Sequence, residues 1–135
     1  MIALILAAYL HRPPVMVEMI YAAGGTDAVA VVECESQFNP QAFRYEKNRS
    51  GRIIGTSWGL FQLFDRYHAQ WRYDLGRHIA EGAAFLAECE AKTHGDFAAA
   101  VSLYNSGSPS KALAWGRHVA RVRDDLAHWL WMALR

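Results

Sequence analysis

Breakers divide this 135-residue chain into short apolar runs, and nearly all of the runs repeat at helical spacing. Strand-like alternation is scarce. A chain so divided is expected to fold as a mainly α-helical globule, built as one domain over residues 1–135. Pro13 and Pro14 break the first run, MIALILAAYL. A helix is predicted from Val15 to Ala23, ended by Gly24 and Gly25. Thr26 or Asp27 then caps a second helix, which Pro40 stops no later than Asn39.

Further along, residues 43–57 are polar, Arg-rich and punctuated by Gly. They read as a loop with a small β-hairpin near residues 45–56, turning around Ser50, Gly51 and Arg52. Trp58 to Tyr67 is compact and aromatic and is expected to enter a short helix. Arg72 to Arg77 reads as a connector carrying Trp71 and Tyr73 at its start. Ile79, Ala83, Leu86 and Cys89 form a helical stripe through Lys92. Gly95 stops it, and Asp96 can cap a helix running to Tyr104. Asn105 to Pro109 is a sharp turn. A helix is predicted from Ser110 to Val122, and a last one is capped by Asp124 or Asp125.

Apolar residues make up 53% and charged residues 20% of the chain, which excludes a disordered polymer. Fourteen Lys and Arg against 13 Asp and Glu leave a formal charge of +1, too weak a field for a nucleic-acid binder. Cys34 and Cys89 show no metal-ligand spacing; two buried free thiols are preferred, with a disulfide between them as the alternative. His68, His78 and His94 are expected to be structural. The first ten residues are too short to span a bilayer and have no preceding basic residue. An opening helix packed on the domain is preferred to a secretion signal, and no integral membrane segment is expected.

Most acids fall in polar stretches or off the apolar stripes. Glu35 does not. Ala28, Val31, Val32 and Glu35 follow one another at offsets of three, four and seven, which puts a carboxyl on or beside a buried stripe. Glu33, two residues away, points to another face. Burial and the negative end of a helix dipole both disfavour the ionised form of Glu35, as a general acid requires. A buried ion pair with an arginine is the competing explanation.

Three stretches in order then carry a family resemblance. They are Glu35-Ser36-Gln37-Phe38-Asn39-Pro40 with Ala42, Gly59-Leu60-Phe61-Gln62-Leu63, and Tyr104-Asn105-Ser106-Gly107. Together they resemble the lytic transglycosylase family, whose soluble-type domain has a goose-lysozyme-like fold. The resemblance spans about residues 15–123. Phe61 and Leu63 depart from the family's Gly-Leu-Met-Gln-Ile. A fourth stretch, Trp115-Gly116-Arg117-His118-Val119, is similar to a late helix where the family has Tyr-Val, so that His118 stands in the tyrosine's place.

The resemblance implies that Glu35 is the sole catalytic acid, and that Ser36, Phe61, Gln62, Tyr104 and Asn105 contact the sugar, Phe61 as an apolar groove wall. His118 would support the catalytic carboxylate. It implies cleavage of the β-1,4 bond after N-acetylmuramic acid in peptidoglycan, ending in a 1,6-anhydro sugar, with no metal or other cofactor. Asp65 is the nearest second carboxylate by motif, but is expected to start or cap a local helix. The alternatives are a goose-type muramidase, which hydrolyses the same bond, and a non-catalytic sugar-binding or assembly protein. The expected partners are peptidoglycan glycan strands, with components of secretion, conjugation or phage particles as associates. The expected place of action is the bacterial cell wall, in the periplasm or outside, reached by a weak N-terminal signal or by phage delivery.

Overall fold

The computed structural model describes residues 1–71 and 73–135. Five helices and a three-stranded antiparallel sheet follow in the order α1 (Ile2–Leu10), α2 (Pro14–Ser36), β1 (Phe43–Lys47), β2 (Ile53–Trp58), β3 (Leu63–Phe64), α3 (Leu75–Lys92), α4 (Phe97–Ser106) and α5 (Leu113–Leu134). The fold is therefore mainly α with a small sheet. α2 is central and packs against α1, α3 and α5, while α4 lies between α3 and α5. One core joins them. Leu6 of α1, Val17, Ile20 and Val29 to Val32 of α2, Leu86 of α3, Val101 of α4 and Val119 and Leu126 of α5 are all buried in it.

The opening run is a helix, with Ala3, Leu6 and Ala7 buried. The break expected at Gly24 and Gly25 occurs inside α2, where Gly25 takes φ 64° and ψ −158°. A residue without Cβ adopts that conformation without steric cost. α2 has the length and apolar composition of a bilayer-crossing segment. Here its apolar face, Val17, Ile20 and Ala28 to Val32, fills the protein core.

β1 and β2 form the expected hairpin, with Phe43 opposite Trp58, Arg44 opposite Ser57, Tyr45 opposite Thr56 and Glu46 opposite Gly55. Asn48 organises its turn, because its side-chain oxygen accepts hydrogen bonds from the backbone N–H groups of Ser50 and Arg52 and from the Ser50 hydroxyl.

The connector expected over Arg72–Arg77 ends at Asp74, which caps α3, with Arg72 itself outside the described residues. Two further expectations need correction. No helix begins between Trp58 and Tyr67; a tight turn leads into β3 instead. Gln62 sits at φ 49°, which interrupts a right-handed helix. Asp65 then locks the strands, since its N–H donates to the Thr56 carbonyl and its side chain accepts from the Thr56 N–H. Asp65 is thus a sheet clamp and not a helix cap. The second correction is that α5 is one helix of 22 residues, with no cap at Asp124 or Asp125. Gly116 and Val119, then Leu126 and the half-buried Leu130, extend a single buried stripe across the expected break.

Candidate active site

Glu35 is the penultimate residue of α2. Gln37 and Phe38 follow in the left-handed region, at φ 51° and 61°, and turn the chain away at once. Phe38 is buried, and Asn39 accepts from the Gln41 N–H to close the turn. This exit leaves the Glu35 carboxyl at the helix end, where it lines a cavity of about 690 Å³ between the sheet, α3 and α4. Its side chain is only 2% exposed. Glu33, two residues earlier, points the other way and pairs with Arg12 at 2.8 Å.

Four neighbours act on the Glu35 carboxyl. Burial is the dominant influence and raises its pKa. The Arg44 guanidinium, 3.9 Å away, pulls it down, as do hydrogen bonds from the Trp115 indole and the Asn105 amide. The like charge of Glu46 pushes it up again. The net direction is upward. The competing ion-pair explanation is therefore partly present in Arg44, but burial outweighs it. A carboxyl so held stays protonated to higher pH than a free one and has a cavity in front of it. Such a group is chemically able to act as a general acid.

The resemblance-derived residues divide clearly. Asn105 lines the cavity and bonds Glu35. Tyr104 lines it too, but its hydroxyl donates to the Phe61 carbonyl, and burial raises its pKa well above the ordinary range. Gln62 lines it with its amide nitrogen donating to the carbonyls of Ala42 and Gly59, at 3.0 and 2.9 Å. Ser36 is not brought to the cavity, because its hydroxyl donates back to the Val32 carbonyl one turn earlier. Phe61 is not a groove wall. It is fully buried, and Leu63, Phe64 and Phe85 supply apolar lining in its place.

His118 does not reach Glu35. It is exposed on α5, with its ring 5.4 Å from that of Trp115. Trp115, three residues earlier, makes the contact, with its indole N–H donating to Glu35 Oε1 at 3.1 Å. Gly116 makes this geometry achievable. A Cβ there would lie 2.1 Å from the Ala98 carbonyl oxygen, so α5 and α4 touch backbone to backbone.

Glu46 and Arg44 also escaped the reading of the sequence. They alternate with Phe43 and Tyr45 on β1 and both line the cavity. Glu46 Oε1 accepts from Arg44 Nε at 3.0 Å and from the Ser57 hydroxyl at 2.7 Å. The signal was the period-two alternation inside a stretch read as a polar loop.

The remaining polar groups serve the framework. His78 accepts from the Phe61 N–H, and burial lowers its pKa. His68 lies 3.4 Å from Glu81. Cys34 and Cys89 are free thiols, and burial pushes them up to about 12 and about 11. Among the described residues no three His, Cys, Asp or Glu side chains gather as a metal-ligand group.

The Trp115 contact gives a direct prediction. An N–H donor favours the ionised carboxylate, so Trp115→Phe removes an influence that lowers the Glu35 pKa. The alkaline limb of the pH–rate profile is expected to move to higher pH, while circular dichroism stays unchanged. An unmoved limb would separate Trp115 from the proton of Glu35.

No family model, curated protein or solved structure matches this chain.

Proposed function

We propose that the chain is a lytic transglycosylase of lysozyme-like fold that cleaves the β-1,4 bond between N-acetylmuramic acid and N-acetylglucosamine in peptidoglycan. The observation that carries the reading is the buried Glu35 carboxyl, its pKa raised, at the end of α2 and facing a groove-sized cavity. The order of the three motifs along the chain supports it. Asn105, Gln62 and Tyr104, which line the same cavity, would meet the sugar.

In this reading protonated Glu35 gives its proton to the glycosidic oxygen as the C1–O bond breaks. The muramoyl N-acetyl oxygen bonds to C1 and carries the positive charge. The Glu35 carboxylate then takes the proton of the muramoyl 6-hydroxyl, and O6 displaces the acetamido oxygen at C1. The product is the 1,6-anhydro sugar, and Glu35 is protonated again. No metal or other cofactor takes part. The enzyme acts at the bacterial cell wall, in the periplasm or outside, reached by a weak signal or by delivery with a phage, secretion or conjugation assembly.

A hydrolytic muramidase is the second reading, and Glu46 is the observation that favours it. It is a second carboxyl in the cavity, with its hydrogen bonds from Arg44 and Ser57 both on Oε1. Such a group could activate water on the far side of the sugar.

Mass spectrometry of digested sacculi decides between them. The transglycosylase reading expects 1,6-anhydromuramoyl ends, and a reducing muramic acid end sinks it. Glu46→Gln gives an independent check. With no water to activate, its rate is expected to stay within a few-fold of the parent, and the alkaline limb to move to lower pH as a like charge is removed. A loss of about 10²-fold or more would assign Glu46 to general-base chemistry.

A further inference from the structure

We propose that the outward face of the β-hairpin, together with the cleft beside it, is a second, non-catalytic glycan-binding surface that stacks pyranose rings. This inference rests on the peptidoglycan reading and adds a site to it.

The pleat sorts the hairpin by chemistry. Arg44 and Glu46 face the Glu35 cavity. Phe43 and Tyr45 face the opposite way and remain 54% and 57% exposed. Phe43 lies 5.6 Å from the Tyr45 ring and 5.4 Å from the Trp58 ring, so three aromatic rings form one continuous strip. Trp58 then opens onto a cleft of about 470 Å³ with Trp71 and Tyr73 on its walls and Gln41 and Gln70 among its polar groups. Exposed aromatic area of this extent costs solvation free energy and marks a contact surface.

The Trp71 ring is held in advance. Its indole N–H donates to Glu81 Oε2 at 2.6 Å, and the Arg77 guanidinium sits 4.9 Å from the ring centroid. A wall fixed from α3 loses little freedom when a ligand arrives.

The chemistry selects the ligand class. A pyranose carries C–H bonds on its faces and hydroxyl or acetamido groups at its edge. Flat rings suit the faces, and neutral amides such as Gln41 and Gln70 suit the edge. A single-stranded nucleic acid would also stack on aromatic rings, but it requires a cationic groove. Among the described residues the cleft lining holds no Lys or Arg. Arg77, which sits on the Trp71 ring, is paired with Asp74 at 3.4 Å, and burial lowers the pKa of His78, which favours its neutral form. A glycan is the better fit. Held on the outward face, one strand of a polymeric wall would keep the enzyme close to the next strand to be cut, raising its effective concentration.

The test uses the Glu35→Gln protein, so that binding is read without cleavage, in co-sedimentation with purified sacculi. Tyr45→Ala/Tyr73→Ala is placed in that background. Both side chains are exposed, so an unchanged thermal melt is expected. The paired change is expected to weaken sacculus binding by about tenfold or more. In the Glu35-intact protein it is expected to leave turnover of a soluble glycan fragment within twofold. Equal binding with and without the two tyrosines overturns the second surface. So does stronger competition by single-stranded DNA than by an N-acetylglucosamine tetrasaccharide. A parent protein that cleaves sacculi but does not sediment with them also removes the second surface and leaves the proposed activity standing. One that neither cleaves nor binds them removes both.

Discussion

Glu35→Gln is expected to lower the cleavage of purified sacculi by about 10²–10⁴-fold, the usual contribution of a general acid, and at the same time to raise stability at neutral pH. The second half follows from burial. A carboxyl whose folded pKa lies above its unfolded value binds its proton more tightly in the native state. Stability then falls as pH rises from the unfolded value through the folded one. Above that window the native state carries a charge with too little solvation, and glutamine does not. Glutamine can still accept from the Trp115 indole, so the site keeps its shape. The melting temperatures of the two proteins are expected to converge at low pH and to separate as pH rises, with the variant higher. Glu90, beside Asp27 and pushed up to about 7 mainly by burial, has the same sign of pH dependence. It is common to both proteins and cancels in the difference. Retained cleavage would take the acid role from Glu35, whereas a parent protein that does not cleave sacculi would leave the sugar-binding alternative. A variant less stable at neutral pH would show that Arg44, Trp115 and Asn105 together outweigh the cost of burying the charge.

Glu35 was legible in the sequence because two local rules meet there. The apolar offsets from Ala28 placed it on a buried stripe, and Pro40 placed it near a helix end. The hairpin was legible for a similar reason, since the Ser50–Gly51–Arg52 turn is a short-range signal. What could not be read depends on distant contacts. His118 and Trp115 are three residues apart on α5, so periodicity alone treats them as near neighbours. The backbone contact between Gly116 and Ala98 decides which one meets Glu35. Glu46 was hidden because an exposed strand, polar on one face and aromatic on the other, has the composition of a loop. The Trp58–Tyr67 segment has aromatic content that fits helix or strand equally. The reciprocal bonding of Asp65 and Thr56, together with the left-handed Gln62, settles it as turn and strand. The last three turns of α5 read as a separate helix in the sequence because Asp124 and Asp125 are good capping residues. Asp124 is instead engaged by the side chain of Arg123 at 3.1 Å.

Phe61→Ala is expected to act on the fold before it acts on the substrate, costing about 3–5 kcal/mol as a large aromatic leaves a packed core. The ring is fully buried and lies directly on α3. A Cβ built on Gly82 would come within 2.2 Å of its Cγ, so α3 approaches the ring as closely as it does only because residue 82 has no side chain. The backbone around the ring is tied as well. Its N–H donates to His78 of α3, and its carbonyl accepts from the Tyr104 hydroxyl of α4. Losing the ring therefore weakens the fold as a whole, while Gln62 keeps its own bonds to the Ala42 and Gly59 carbonyls, and activity is expected to fall only as far as folded protein is lost. Urea unfolding and sacculus turnover, measured on the same preparation and normalised to the folded fraction, separate this from a groove-wall role. A groove wall would raise KM at unchanged stability. Gly82→Ala tests the contact from the other side. Its methyl group is forced into the ring at about 1–3 kcal/mol, against a gain in helix propensity of up to about 1 kcal/mol. In the double variant the methyl enters the space the ring has left, so the combined loss is expected to be smaller than the sum of the two single losses. Strict additivity would mean that Phe61 and Gly82 do not share the contact.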